Sequence, residues 1–276
     1  MNIIQKFITR NDCYQCNVRK ADSRYTTFQN KGPQGLVLHS VGCAQPSALV
    51  FANGWNVANK EVAVHAVLQA DGTVYQCMPW NYRGWHAGGA ANNTHVGVEM
   101  TEPASLKYGN GGKFTCSDVA GAQAFVRKTY AVAVELFAKL CREYKLDPVK
   151  PGVIISHREG YKLGVASNHG DPEHLWNGLG LDFTMDKFRT AVKAEIDRQI
   201  AAEEAAQKPP VQTPAPQKPK LDNNPANWAK QAVEWGKENG LMIGDNHGDL
   251  MLRSPITREQ FITVLYRYDE YRRTAK

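Results

Sequence analysis

The chain has 276 residues, of which 42% are hydrophobic and 22% charged, and it carries a formal net charge of +6. Those proportions are globular: they exclude wholesale disorder and collagen-like repetition, and the length suits one large domain or two smaller ones. No run nears the roughly 20 apolar residues that cross a bilayer, so no membrane partner is expected. The opening Met1–Arg10 places charges inside what would be the apolar stretch of a signal peptide. The expectation is a protein made soluble in the cytosol, which something else must release if it acts outside a cell.

Six cysteines stand at 13, 16, 43, 77, 116 and 141. Cys13 and Cys16 form a CxxC with no second copy, read as structural or incidental thiols, with a disulfide or metal role as the alternative. Gly35-Leu-Val-Leu-His39 is a short apolar run and predicts a buried strand. Residues 62–68 and 73–77 flank Asp71-Gly72 and predict a β-hairpin. His95–Met100 predicts another strand, 119–145 one long helix with Phe125, Tyr130, Val134, Phe137 and Leu140 on its apolar face, and 153–157 a last strand. Residues 184–206 predict a helix on which Phe188, Val192, Ile196 and Ile200 recur every four positions. Strands interleaved with helices indicate an α/β fold, a central mixed sheet flanked by helices.

Lys208–Lys220 holds five prolines in thirteen residues and predicts a semi-rigid spacer. The expected organisation is a domain over 1–205, a Pro-rich linker over 206–221 and a small all-α domain over 222–276. The basic excess belongs to the first domain, with 22 Lys/Arg against 17 Asp/Glu over residues 1–202. Such an excess favours polyanionic surroundings in general. No basic run with interleaved aromatics, helix-turn-helix or zinc-finger spacing supports a nucleic-acid partner.

His39 and His157 each close an apolar strand, where ligands meet the sheet in open α/β folds. Asn168-His169-Gly170-Asp171 follows. Two imidazoles and a carboxylate from three places would leave one tetrahedral metal position open, as hydrolytic zinc requires; each histidine reads equally as a satisfied core or rim residue. Glu99 stands among Val96, Val98 and Met100, where an acid is costly unless paired or used. The segment Trp80–Gly89, with Arg83, Trp85 and His86, suits a sugar or peptide cleft, or a packed loop.

Leu38-His39-Ser40, Val64-His65-Ala66, Asp71-Gly72, Trp85-His86-Ala87-Gly88, Val96-Gly97-Val98-Glu99 and Ser156-His157 occur in the order seen in the type-2 zinc N-acetylmuramoyl-L-alanine amidases. Over about residues 1–195 the chain resembles that family, which includes the peptidoglycan-recognition proteins, and most of all its phage endolysin branch. The resemblance implies Zn²⁺ held by His39, His157 and Asp171, with Glu99 as the catalytic acid and base and peptidoglycan as substrate. The family's basic residue before the third ligand is usually lysine. Here it is His169, implied to stabilise an oxyanion, and the longer spacing from His157 leaves open whether His169 or Asp171 is the ligand. His65, Arg83, Trp85 and His86 are implied to line or brace the cleft as substrate contacts, while His95 and His174 read as surface or packing residues. The implied activity is hydrolysis of the amide joining N-acetylmuramic acid to L-alanine, by a prophage endolysin released by a holin. A non-catalytic peptidoglycan-recognition protein is the alternative.

In the tail, Trp228, Ala232 and Trp235 recur at helical spacing, and Thr257 with Gln260 predicts a reciprocal cap on a second helix. Thr257-Arg258-Glu259-Gln260 resembles the Thr-Arg-x-Glu element of an S-layer homology motif. That resemblance implies binding to a secondary cell-wall polymer. A single copy of some 50 residues buries little apolar surface, so self-association into a homo-oligomer is expected. Asp245–Asp249 lacks the spacing of a calcium loop and predicts a turn.

Overall fold

A computed structural model describes residues 1–19, 28, 31–207 and 222–274. It divides into two compact units, Met1–Gln207 and Lys208–Lys276. The Pro-rich spacer lies outside the described residues.

The first unit begins with β1 (Asn2–Gln5), a single helical turn α1 (Asp12–Tyr14), β2 (Gly35–Ser40) and α2 (Ala48–Gly54). β3 (Ala66–Leu68), β4 (Thr73–Gln76), β5 (His95–Met100) and a small hairpin of β6 (Leu106–Tyr108) and β7 (Phe114–Cys116) follow. The long helix α3 (Val119–Tyr144), β8 (Ile154–Ser156), α4 (His157–Lys162), α5 (Glu173–Gly178) and α6 (Met185–Gln207) complete it. Six strands form one sheet in the order β1-β4-β3-β5-β2-β8. Only the β3–β4 pair is antiparallel, so the sheet is mixed, as the α/β reading expects.

Strand periodicity sorts the side chains. Leu36, Leu38, Val96, Val98 and Met100 pack into the main core with Ala133, Leu136 and Phe137 of α3 and Phe188 and Val192 of α6. The alternate residues of the same strands, Val37, His39, Gly97 and Glu99, turn to the opposite face. There Val37 packs with Ile155, Ala87 and Ala91, and Val67 packs with Ala48, Ala52 and Trp55 around α2.

Several boundaries differ from those expected. The strand over 62–68 shortens to β3, because Ala63 pairs instead with Trp85 across an isolated bridge. The buried stripe of α3 runs through Ala122, Val126, Thr129, Ala133 and Leu136, leaving Phe125 and Tyr130 at its border. β1, β6 and β7 were not expected: each is short and mostly unburied, so no alternation marks it. Helix α3 starts where Asp118 accepts from the Gly121 amide at 2.9 Å and stops where Lys145 turns left-handed at φ +56°.

The second unit contains α7 (Lys230–Glu238) and α8 (Arg258–Thr274). The Thr257 amide donates to Gln260 Oε1 at 2.8 Å and the Gln260 amide to Thr257 Oγ1 at 3.1 Å, which is the expected reciprocal cap. Asp245 Oδ1 accepts from the His247 and Asp249 amides at 2.8 and 2.9 Å, a turn as expected. Trp228, Ala232 and Trp235 are exposed, however, and Val233 and Gly236 are the buried residues of α7. All six cysteines are free thiols. No described helix is long and apolar enough to cross a membrane.

Candidate active site

Adjacent parallel strands set one row of functional groups. His39 is the register partner of Glu99 on β5, and Leu38 that of Ser156 on β8. His157, one residue beyond Ser156, is therefore level with His39, and Glu99, His39 and His157 stand side by side where the three strands end. Ser156 caps α4: its Oγ accepts from the Glu159 amide at 3.0 Å, while Glu159 accepts from the Ser156 amide at 3.3 Å. That cap makes His157 the first residue of α4 and aims its ring into the cleft. Arg189 of α6 grips Glu159 from behind, at 2.9 and 3.1 Å, and tethers the element.

His39, His157 and Asp171, all buried, converge. His39 Nδ1 lies 3.1 Å from His157 Nδ1 and 3.1 Å from Asp171 Oδ2, and His157 Nδ1 is 3.5 Å from Asp171 Oδ1. A tetrahedral zinc ion with bonds of about 2.0–2.1 Å spaces its donors by roughly 3.3–3.4 Å. The observed triangle has that size, and two imidazole nitrogens with one carboxylate are a donor set zinc accepts. Burial acts to raise the Asp171 carboxyl, but the His157 and His39 imidazoles outweigh it and hold the group anionic. Burial lowers the pKa of His39, against the opposing pull of Asp171, so His39 favours the neutral, metal-binding form.

Glu99 Oε2 is buried without a hydrogen-bond partner. Burial, then the charges of Asp171 and Glu102, push its pKa well above the ordinary carboxylate value. A raised, unpartnered carboxyl beside a donor cluster is the pattern of a general acid and base.

His169 stays on the rim. Its ring lies 4.5 Å from that of His157, and its Nδ1 is 3.0 Å from Ser167 Oγ; it is not among the three converging donors. A cleft of about 580 Å³ is lined by Glu99, His157, His169, Asp171 and Trp85, among others. Trp85 is half exposed, with the Arg83 guanidinium 5.1 Å over its ring. Arg83 itself borders a neighbouring cleft of about 590 Å³, which shares Glu61 and Trp85 with the first.

The two histidines implied to line or brace the cleft divide between those places. His65 is fully buried, bonded through Nε2 to the Tyr82 carbonyl at 2.7 Å and through Nδ1 to the Gly97 amide at 2.9 Å. It braces the wall instead of facing the cleft. His86 is also largely buried, with Nδ1 3.0 Å from His39 Nε2, and it lines the first cleft.

Sequence reasoning missed Glu102, Tyr108 and His174. Glu102 is fully buried; it accepts from the Tyr108 hydroxyl and, at 3.0 Å, from the Gly42 amide. His174, expected to be surface or packing, lines the cleft with Nε2 3.0 Å from the Tyr108 hydroxyl. A second acid three residues after Glu99 was the one available signal. Nothing local ties Tyr108 to His174, which is 66 residues away.

Residues 29–174 match the model of the N-acetylmuramoyl-L-alanine amidase family, Amidase_2. The fold is similar to that of the Staphylococcus aureus hydrolase AmiA, crystallised with its ligand, at 15% identity over 73% of this chain and 86% of that one, with a TM-score of 0.50. The catalytic domain of XlyA is 20% identical over 70% of this chain and 99% of its own, at TM-score 0.46. A mutant endolysin from Bacillus subtilis is 19% identical over 70% and 99%, at TM-score 0.45. No curated protein matches the chain.

Proposed function

The chain belongs to the N-acetylmuramoyl-L-alanine amidase family, and on that premise we propose that it is a zinc-dependent peptidoglycan hydrolase of the endolysin kind. It cuts the amide between N-acetylmuramic acid and L-alanine. The observation that carries this reading is the convergence of His39, His157 and Asp171 in one buried triangle, with the unpartnered Glu99 in the same row of strand ends.

His39, His157 and Asp171 would hold the ion, which when bound supplies Lewis acidity and a water acidified towards neutral pH. Glu99 takes the proton from the attacking water and returns it to the departing amine of L-alanine. Its environment suits both proton transfers, because burial, with the nearby Asp171 and Glu102 charges, raises its pKa and makes the carboxylate a stronger base. His169 donates a hydrogen bond to the oxygen that gains negative charge as the carbonyl is attacked, a role supported by its seat on the same cleft. Trp85 and Arg83 offer an aromatic face and a cation to the glycan or the stem peptide, at the boundary of the two clefts.

The test is mass spectrometry of peptidoglycan digested by the purified protein. Free stem peptides with L-alanine amino termini support the amidase; new reducing sugars, or binding without release of peptide, overturn it. In the same digest Glu99→Ala is expected to slow release by about 10²–10⁴-fold, and wild-type rates from that variant would remove Glu99 from the mechanism.

For the second unit we propose an S-layer-homology-like role, holding the enzyme on a secondary cell-wall polymer and joining copies of the chain. The support is its Thr257-Arg258-Glu259-Gln260 element at the start of α8 and the apolar residues it leaves in solvent.

A further inference from the structure

We propose that Tyr108 is a positioning residue for the substrate, holding the β6–β7 hairpin as one wall of the catalytic cleft. The role rests on the amidase reading above and deepens it, because it assigns part of the site's grip on peptidoglycan to that hairpin.

The hairpin stands apart from the six-stranded sheet. Two strands on their own are marginally stable in water, so the hairpin needs anchors in the rest of the fold. At its base, Leu106 is buried in the main core. At its last rung Tyr108 pairs with Phe114. The Phe114 ring lies against α5, where a Cβ on Gly178 would stand 2.5 Å from Phe114 Cζ. The turn beyond that rung is Gly109-Asn110-Gly111-Gly112. Gly111 and Gly112 take positive φ, +69° and +73°, and both border the cleft, as does Tyr108. Glycine there presents bare backbone, which a ligand can approach closely. The turn has little side chain of its own to hold it, so its place is set by the rung behind it.

Tyr108 is the polar fastening of that rung. Its hydroxyl donates to Glu102 and lies 3.0 Å from His174 Nε2, which joins the hairpin both to the stretch after β5 and to α5. Glu102 is a fixed post. It is fully buried, its Oε1 accepts from the Gly42 amide at 3.0 Å, and its own amide donates to the Gln45 carbonyl at 3.3 Å. A carboxyl buried this deeply is costly without hydrogen bonds, so the acid and the phenol hold each other in place. Because the hydroxyl hydrogen is committed to Glu102, Tyr108 has none to give to substrate; it acts through the hairpin.

The experiment compares full-length wild type with Tyr108→Phe, which removes the hydroxyl and keeps the ring beside Phe114. Hydrogen exchange read by mass spectrometry should show peptides covering residues 106–116 exchanging about 2- to 10-fold faster in the variant, the scale of one hydrogen bond, with those of β2 and β5 unchanged. On a soluble muropeptide, N-acetylmuramic acid carrying its stem peptide, KM should rise by about 2- to 10-fold while kcat stays within about twofold. Equal exchange in the two proteins overturns the proposal, because the hydroxyl then does not hold the hairpin. An unchanged KM overturns it too, whatever happens to kcat or the melting temperature, since a merely structural tyrosine would move only those. A wild type that frees no stem peptides instead defeats the amidase reading, and the exchange comparison still decides whether Tyr108 fastens the hairpin.

Discussion

At the scale of single residues, burial lowers the pKa of several imidazoles packed around the site, His39, His65 and His86 among them. His65 shows the consequence most simply. Burial lowers its pKa to about 4, against the opposing bonds to the Tyr82 carbonyl and Gly97 amide. The unfolded chain takes up a proton near pH 6.5, the folded chain only near 4, so the unfolded state binds more protons between those values. Stability is therefore lost as the pH falls through that window. Each unit of separation is worth about 1.4 kcal/mol, so His65 contributes on the order of 3 kcal/mol of that loss. His39, His86 and His95 shift in the same direction and steepen the trend. Thermal melts of metal-free wild type and His65→Asn between pH 4 and 7 check the point: the variant should show a shallower pH slope. Parallel slopes would mean that His65 is not held neutral.

At the scale of elements, the site depends on three parallel strands ending at the same level. The alternation Val96, Gly97, Val98, Glu99, Met100 sends three side chains to the α3 and α6 core and leaves Gly97 and Glu99 on the cleft side. Gly97 is needed for space and not for backbone freedom. A Cβ there would stand 2.4 to 2.7 Å from three atoms of the His86 ring. Gly97→Ala is therefore expected to push the ring off its seat at a cost of about 1–3 kcal/mol, the usual range for overpacking a close-fitted interior. A lowered melting temperature for this variant is the expected result, and one matching wild type would show that the ring moves aside freely. The strand ends and α4 are linked in turn through the Ser156–Glu159 cap and Arg189, so the row containing His157 is anchored to α6.

At the scale of the whole molecule, the two units differ in how much they bury. The first has a continuous core of strands, α3 and α6. The second, among its described residues, buries only Val233 and Leu241 of its larger hydrophobics. Trp228 is 89% exposed, and Ile243, Ile262 and Tyr266 each more than 60%. Apolar surface of that kind on a small unit is costly in water and favours a partner surface. The proposed partner is a second copy of the same tail. Sedimentation of the full-length protein over a dilution series should give a mass above that of one chain, falling as the protein is diluted. A single-chain mass at every concentration would sink the self-association.

Much of this was legible in the amino-acid sequence. Two histidines closing apolar runs, an acid inside a strand, a long amphipathic helix and the Thr257–Gln260 cap are all local patterns, set by alternation, helical period and side-chain reach within a few residues. Ordered motifs supplied the family resemblance that the match over residues 29–174 now carries. What only the tertiary structure decided is pairwise and distant. His39 meets residues 118 and 132 positions away, and His86, 47 positions away, packs against its other ring nitrogen. That Asp171 and not His169 joins the triangle, and that His65 stands behind the cleft wall while His86 lines it, follows from strand register and loop placement. Register between strands arises from packing across the whole sheet, so no local stretch of chain specifies it.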